Sequence, residues 1–402
     1  MKCKLSDICS FRKGKIETKE LNEKNYISTE NMIPNKQGIT NASSLPKVRT
    51  VSEFKKGDVL VSNIRPYFKK IWIAEYDGGC SNDILVFKAN KGINNYFLYY
   101  LISDDAFFEY ATVTAKGTKM PRGDKSSIMS FEVPDFDMEK QLKIASILKS
   151  IDDKIKINNK INNNLEQQVV LLFKEWFTDF VNTSSNLIET QFGLIPDTFR
   201  LLKNGELPMV VTDYVANGSF ASLKANVTLY QEPNYAYFIR NTDLKSGSFK
   251  VFVDENSYRF LSKSTLYGGE IIISNVGDVG SVFLCPKLNK PMTLGNNVIM
   301  LRPEQDNLKY YLYVWFKWLY GQSLIQGIKG GSAQPKFNKT DFKNLPIFLP
   351  TDDLLEQFQQ MVKPIFELIE KNNEENQALI VTRDTLLPKL ISGEFDISDI
   401  EL

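Results

Sequence analysis

The sequence contains no histidine. That absence removes Ser-His-Asp and Cys-His nucleophilic machinery, HExxH zinc sites and any imidazole general base. Cysteine is scarce, and Cys3, Cys9, Cys80 and Cys285 form no C-x-x-C spacing. Neither a zinc site nor a disulfide framework is expected, and a reducing compartment fits best. No apolar run is long enough to cross a bilayer: the stretch Tyr310 to Tyr320 is too short and carries Lys317. The opening MKCKLSDICS lacks an apolar core, which predicts no signal peptide and a cytoplasmic location away from membranes. No G-x-x-x-x-G-K-[ST] cradle for ATP is present, and no Asn-Pro-Pro-aromatic run of the adenine-methyltransferase type. The cluster Gly277–Gly280 follows a strand-like run but lacks dinucleotide-binding spacing. The acidic pairs Asp152-Asp153 and Asp352-Asp353 read as helix starts, where carboxylates complement the macrodipole. No catalytic, cofactor-binding or metal-ligating residue is expected.

What is present is ordinary for a folded chain of two or three domains: 402 residues, 43% hydrophobic and 24% charged, with a net charge of +1. That net value combines modestly basic stretches with an acidic C-terminal segment, which by itself reads as a solvated helix face. The organising feature is an internal repeat. At an offset of 214, Tyr96-Phe97-Leu98-Tyr99 meets Tyr310-Tyr311-Leu312-Tyr313, and Gly117-Thr118-Lys119-Met120-Pro121-Arg122 meets Gly331-Ser332-Ala333-Gln334-Pro335-Lys336. At 212, Gly57-Asp58-Val59-Leu60-Val61-Ser62-Asn63 meets Gly269-Glu270-Ile271-Ile272-Ile273-Ser274-Asn275. Three blocks in one order at nearly one offset mark a diverged tandem duplication.

Each half starts with short β-branched runs that read as buried strands. One short helix follows in each (Asn95–Ser103 and Leu308–Tyr320), then a Gly/Lys-rich loop and a strand ending in proline. Each half closes on a long helix with an apolar seam at alternating spacings of four and three. In the first the seam includes Ile151, Ile155, Asn158, Asn162 and Leu165; in the second, Ile365, Ile369, Asn372, Asn376 and Leu379. Ordinary bundle helices are the alternative, but asparagines at equivalent positions suit a coiled coil, where buried amides fix register. Pro364 predicts a kink or restart, and Arg383 an imperfection in the packing.

The expected fold is α+β. Two β-rich domains, residues 1–139 and 183–350, are related by a pseudo-two-fold and separated by antiparallel helices in residues 140–182 and 351–402. Helices of about forty residues at ~1.5 Å per residue give a spacer of roughly 60 Å at most.

Candidate contacts lie in the loops. Asn63, Arg65, Tyr67, Lys69 and Lys70 combine an amide, a guanidinium, an aromatic ring and ammonium groups, the side-chain types that read base edges and hold phosphates. A loop with scattered lysines is the plain alternative. The recurring Gly-rich loops favour function, since glycine permits close approach while hydroxyl and basic groups meet phosphate. They contribute Thr118, Lys119 and Arg122 in one half and Lys329, Ser332, Gln334 and Lys336 in the other, with Asn275 matching Asn63.

The chain resembles the specificity subunit of type I restriction–modification systems. The likeness is strongest in Gln141-Leu142-Lys143-Ile144-Ala145 through Ile155, in Leu172-Phe173-Lys174-Glu175-Trp176-Phe177 and in Leu386-Leu387-Pro388-Lys389-Leu390-Ile391-Ser392-Gly393-Glu394. It extends to Gly218–Lys224 and Leu266–Gly277, which look like parts of target recognition domains. The resemblance implies a non-catalytic reader of double-stranded DNA whose two domains each read half of a split, non-palindromic site. It implies helices that dock two modification subunits, joined by restriction subunits, with S-adenosylmethionine, ATP and Mg confined to those partners. Because recognition domains diverge, no base-reading residue carries over by position. An adaptor or specificity subunit of a methylation-only, phage-exclusion or anti-restriction system is the alternative.

Overall fold

The computed structural model of the chain describes residues 2–181, 185–331, 334–395 and 397. It divides into two compact units: residues 1–158 with 374–402, and residues 159–373.

The first unit is built around Val59–Ser62, a strand buried on both faces. Alternation sends Val59 and Val61 into one apolar cluster and Leu60 into another. The strand lies third in an antiparallel sheet ordered Cys9–Phe11, Ile84–Ala89, Val59–Ser62, Ile71–Ile73, with Ser62 opposite Ile84. The second unit repeats the plan in the order Met209–Asp213, Val298–Pro303, Ile271–Ser274, Val282–Leu284, with Ser274 opposite Val298. Ile271 and Ile273 face one cluster and Ile272 the other. A smaller sheet accompanies each: Lys15–Glu17, Thr50–Phe54, Gly78–Cys80 and Tyr26–Ile27 in the first unit, and five short strands between Leu229 and Leu294 in the second.

Each half carries two consecutive helices where the sequence pattern suggests one. Asn95–Ser103, capped by the Asn94 side chain, is followed by Asp105–Val113, which Asp104 caps through a 2.8 Å hydrogen bond from Ala106 N. In the second unit, Asp306–Lys317 is followed by Leu319–Gly327 after an extended Trp318. Gly321 permits that packing, since a Cβ there would lie 2.4 Å from the Trp315 carbonyl oxygen.

The long helices, Met138–Phe177 and Asp352–Ser392, each give one half to each unit, and within each unit the halves run antiparallel. In the first unit Asn158 Nδ2 donates to Asn376 Oδ1 at 3.0 Å; in the second Asn372 Nδ2 donates to Asn162 Oδ1 at 2.8 Å. Ile151, Ile155, Leu165, Ile365, Ile369 and Leu379 are all half-buried around these amides.

Three expectations are corrected. The second helix does not restart at Pro364: proline lies on the exposed face, where water can meet the carbonyl of exposed Gln360 that the missing N–H leaves without a helical partner. Asp152 is not at a helix start but inside the first long helix, where it accepts from Tyr100 Oη at 2.7 Å and Arg383 Nη1 at 2.9 Å. Arg383 is therefore no defect in the seam. Burial opposes its charge, but the Asp152 and Asp384 carboxylates raise the guanidinium pKa above its ordinary value. At the repeat-equivalent positions the second unit has buried Val314, Phe366 and Val169, so one unit uses a polar cluster where the other packs apolar groups.

Arg383→Met should leave the half-buried Asp152 without its countercharge and with the Tyr100 hydrogen bond as its remaining partner. A loss of about 2 kcal/mol is expected in denaturant unfolding. Arg383→Met with Asp152→Leu should recover most of it, as apolar replacement of both partners removes the stranded charge.

Candidate nucleic-acid interface

Both units build the same junction from the end of the central strand and a hairpin. In the first, Arg65 N donates to Pro121 O at 2.8 Å and Gly123 N to Asn63 O at 3.1 Å. The hairpin closes on itself through Lys116 N to Arg122 O at 2.8 Å and Arg122 N to Lys116 O at 2.9 Å. In the second, Gly277 N donates to Pro335 O at 2.8 Å and Phe337 N to Asn275 O at 3.0 Å. Gly330 and Lys336 exchange the same pair of bonds at 2.9 Å each. Gly117 and Gly331 turn the hairpins at φ +95° and +88°, a conformation that strains residues bearing a Cβ. Ser62 and Ser274 leave their strands in the same way, each hydroxyl donating to the carbonyl two residues on, at 3.2 and 3.5 Å.

The junctions bring together most of the residues expected at a DNA contact. Thr118, Lys119 and Arg122 are exposed on the first hairpin; Lys329, Gln334 and Lys336 are exposed on the second. Ser332 lies outside the described residues. Asn63 and Asn275 sit half-buried at the base, each with a buried Oδ1 that has no hydrogen-bond partner among the described residues; the same holds for Arg65 Nε. Arg122 pairs with Asp83 at 2.9 Å. Asp124 is held well below the usual carboxylate range by Lys116 and by Ser126 and Ser127 at its helix cap.

Other residues are placed differently. Tyr67 is exposed, but the ammonium groups of Lys69 and Lys70 are engaged inside the first unit, Lys69 with Asp105 at 2.9 Å and Lys70 with the Thr29 carbonyl at 2.6 Å. Burial lowers the Lys70 pKa. Sequence reasoning missed the exposed Phe68 and Met120 beside the chosen residues. Both lie in loops already singled out, and a search for polar groups passes over them.

The equivalent of Gly277, at φ +78°, is Arg65, at φ +50°. A non-glycine residue in that region carries a penalty of about 1 kcal/mol. Arg65→Gly should therefore keep or raise the denaturation midpoint of the chain, whereas Gly277→Arg should lower it. Equal losses in both variants, measured by thermal unfolding, would contradict the assignment of strain.

Residues 1–167 and 193–380 match the family described as Type I restriction modification DNA specificity domain. The chain is 25% identical to the type I restriction enzyme MjaIX specificity subunit of Methanocaldococcus jannaschii, over 86% of this chain and 79% of that one. It is 26% identical to the HindI specificity subunit of Haemophilus influenzae, over 92% of this chain and 94% of that one. The fold is also similar to a crystal structure of the type I restriction–modification S subunit from M. genitalium. The TM-score is 0.53 at 16% identity, covering 99% of this chain and 96% of that one. No helix among the described residues is long and apolar enough to cross a membrane. With two family matches falling on a duplicated fold and a duplicated junction, the chain belongs to the type I restriction–modification specificity subunits.

Proposed function

We propose that each unit reads one half of a split, non-palindromic double-stranded DNA site, and that the long helices dock two modification subunits, to which restriction subunits add. This chain recognises and does not catalyse; S-adenosylmethionine, ATP and Mg act in its cytoplasmic partners. The observation that carries this reading is the repeated junction: its backbone bonds coincide in the two units while its exposed side chains differ. Arg65 faces Gly277 in the repeat, and Met120 faces Gln334. A shared frame with different donors suits two different half-sites, because direct readout depends on the donor and acceptor pattern offered to base edges. The basic and amide groups on the hairpins favour a reader over an adaptor that only binds subunits. The chain's near-neutral charge is modest for a DNA reader, and the family resemblance implies that modification subunits supply much of the phosphate contact.

Methylome sequencing of strains with and without the gene should reveal one gene-dependent site with unlike halves; a palindromic site would contradict the assignment of one half to each unit. In the assembled methyltransferase, Gln334→Ala should relax specificity at one position of one half-site, costing ~1–3 kcal/mol against the correct base. Lys119→Ala should instead weaken all sequences alike and reduce the salt slope by about one. Unchanged binding by both variants would remove the hairpins from the interface.

A further inference from the structure

Six described non-glycine residues have positive φ, and four of them, Asn35, Lys36, Arg65 and Lys69, meet at one place in the first unit. Such conformations persist only where surrounding contacts over-determine them. Here the contacts are explicit. Asn35 N donates to Phe68 O at 2.8 Å and Lys36 N to Lys69 O at 2.9 Å. Phe68 N and Lys69 N close the turn onto Arg65 O and Pro66 O, and Arg65 N ties it to the hairpin through Pro121 O. Lys36 and Lys69 both grip Asp105, at 2.7 and 2.9 Å, and the Pro66 ring is buried beneath.

What this turn holds out to solvent is apolar. Tyr67 and Phe68 are 47% and 38% exposed, with ring centroids 4.8 Å apart. A turn whose backbone is already held loses little further entropy when such rings bind a partner. Lys36 and Lys69 share Asp105 and Lys70 Nζ donates to the Thr29 carbonyl, so these cations hold the turn in place, and with Arg65 they outnumber the one carboxylate and leave the turn net positive. The repeat-equivalent stretch in the second unit is Gly277-Asp278-Val279-Gly280, without an aromatic residue.

We propose that Tyr67 and Phe68 form a rigid wedge that unstacks one base step in the half-site read by the first unit, a contact with no counterpart from this chain in the other half-site. This deepens the DNA-reading assignment and rests on it. Apolar side chains inserted between base pairs unstack and kink duplexes, and flexible pyrimidine–purine steps yield most readily.

The test uses the full chain assembled with its modification subunits and a duplex carrying the methylome-mapped site, with 2-aminopurine placed at each step in turn. Apart from any base that the modification subunits flip out for methylation, wild type should brighten one step in one half-site. Tyr67→Ala/Phe68→Ala should leave that step dark and bind the intact site roughly tenfold more weakly or worse. A mismatch at the bright step should tighten binding by wild type but not by the double variant. Thermal unfolding separates loss of the wedge from loss of fold, and Tyr67→Phe, which keeps the ring, should retain brightening. Specific binding by wild type with no bright step beyond the flipped bases, or with the same bright steps in the double variant, would overturn the wedge while leaving DNA reading intact. A folded double variant that no longer joins the modification subunits would overturn it in favour of a protein contact. Absence of specific binding by wild type would overturn the DNA-reading assignment and the wedge with it.

Discussion

A strand buried on both faces must bring its chain back to water at its ends, and the junctions of this protein follow from that constraint. Val59–Ser62 and Ile271–Ser274 have no exposed residue. Their side chains alternate between two apolar clusters, so a slip of one residue would exchange the faces. Register is thereby fixed, and with it the point where Ser-Asn leaves the sheet. The hairpin then closes onto that exit through the same backbone bond in each unit, Gly123 N to Asn63 O in one and Phe337 N to Asn275 O in the other, where the Asn275 amide adds a bond to Phe337 O. A frame defined by backbone bonds tolerates side-chain change, because replacing Lys119 or Gln334 breaks none of those bonds.

The long helices impose a second constraint. The first unit is not a contiguous stretch: it needs residues 374–402 beside its own 1–158, and the second, residues 159–373, is inserted between them in sequence. Leu387, Leu390 and Ile391 enter the core of the first unit, while Phe173, Trp176 and Phe177 meet Phe358 in the second. The asparagines sit where each helix passes from one unit's share to the other's. An amide in a seam is satisfied only opposite another polar group, so Asn158–Asn376 and Asn162–Asn372 set the stagger that apolar contacts alone would leave free to slide.

The duplication, the buried strands and the helix seams were legible because they rest on periodicity and offset, which a single sequence preserves. The second short helix in each half was not, since its start depends on one cap residue, Asp104, or one extended residue, Trp318. Arg383 looked like a flaw because its partner Asp152, which also accepts from Tyr100, is distant in sequence. Of the candidate contact residues, the described hairpin groups lie exposed, whereas Lys69 and Lys70 carry charges engaged inside the unit. Composition identifies a cation but not its partner. Asn35 and Lys36 gave no signal at all, because a positive φ in a non-glycine residue is imposed by tertiary contacts.

The two units also differ in how they use strain. Gly277 enters the left-handed region at little cost, and the chain beyond it is a short turn; Arg65 enters the same region against its Cβ and begins a buttressed turn. Likewise a Tyr100–Asp152–Arg383 cluster in one unit stands where Val314, Phe366 and Val169 fill the other. Duplicated backbones with unlike side chains make each unit's interior and surface distinct while the strand exit and hairpin closure stay common. At the junctions the units differ in side chains and in the turn beyond the strand exit, while the main-chain bonds of exit and closure coincide, and the proposed reading of two unlike half-sites draws on that combination.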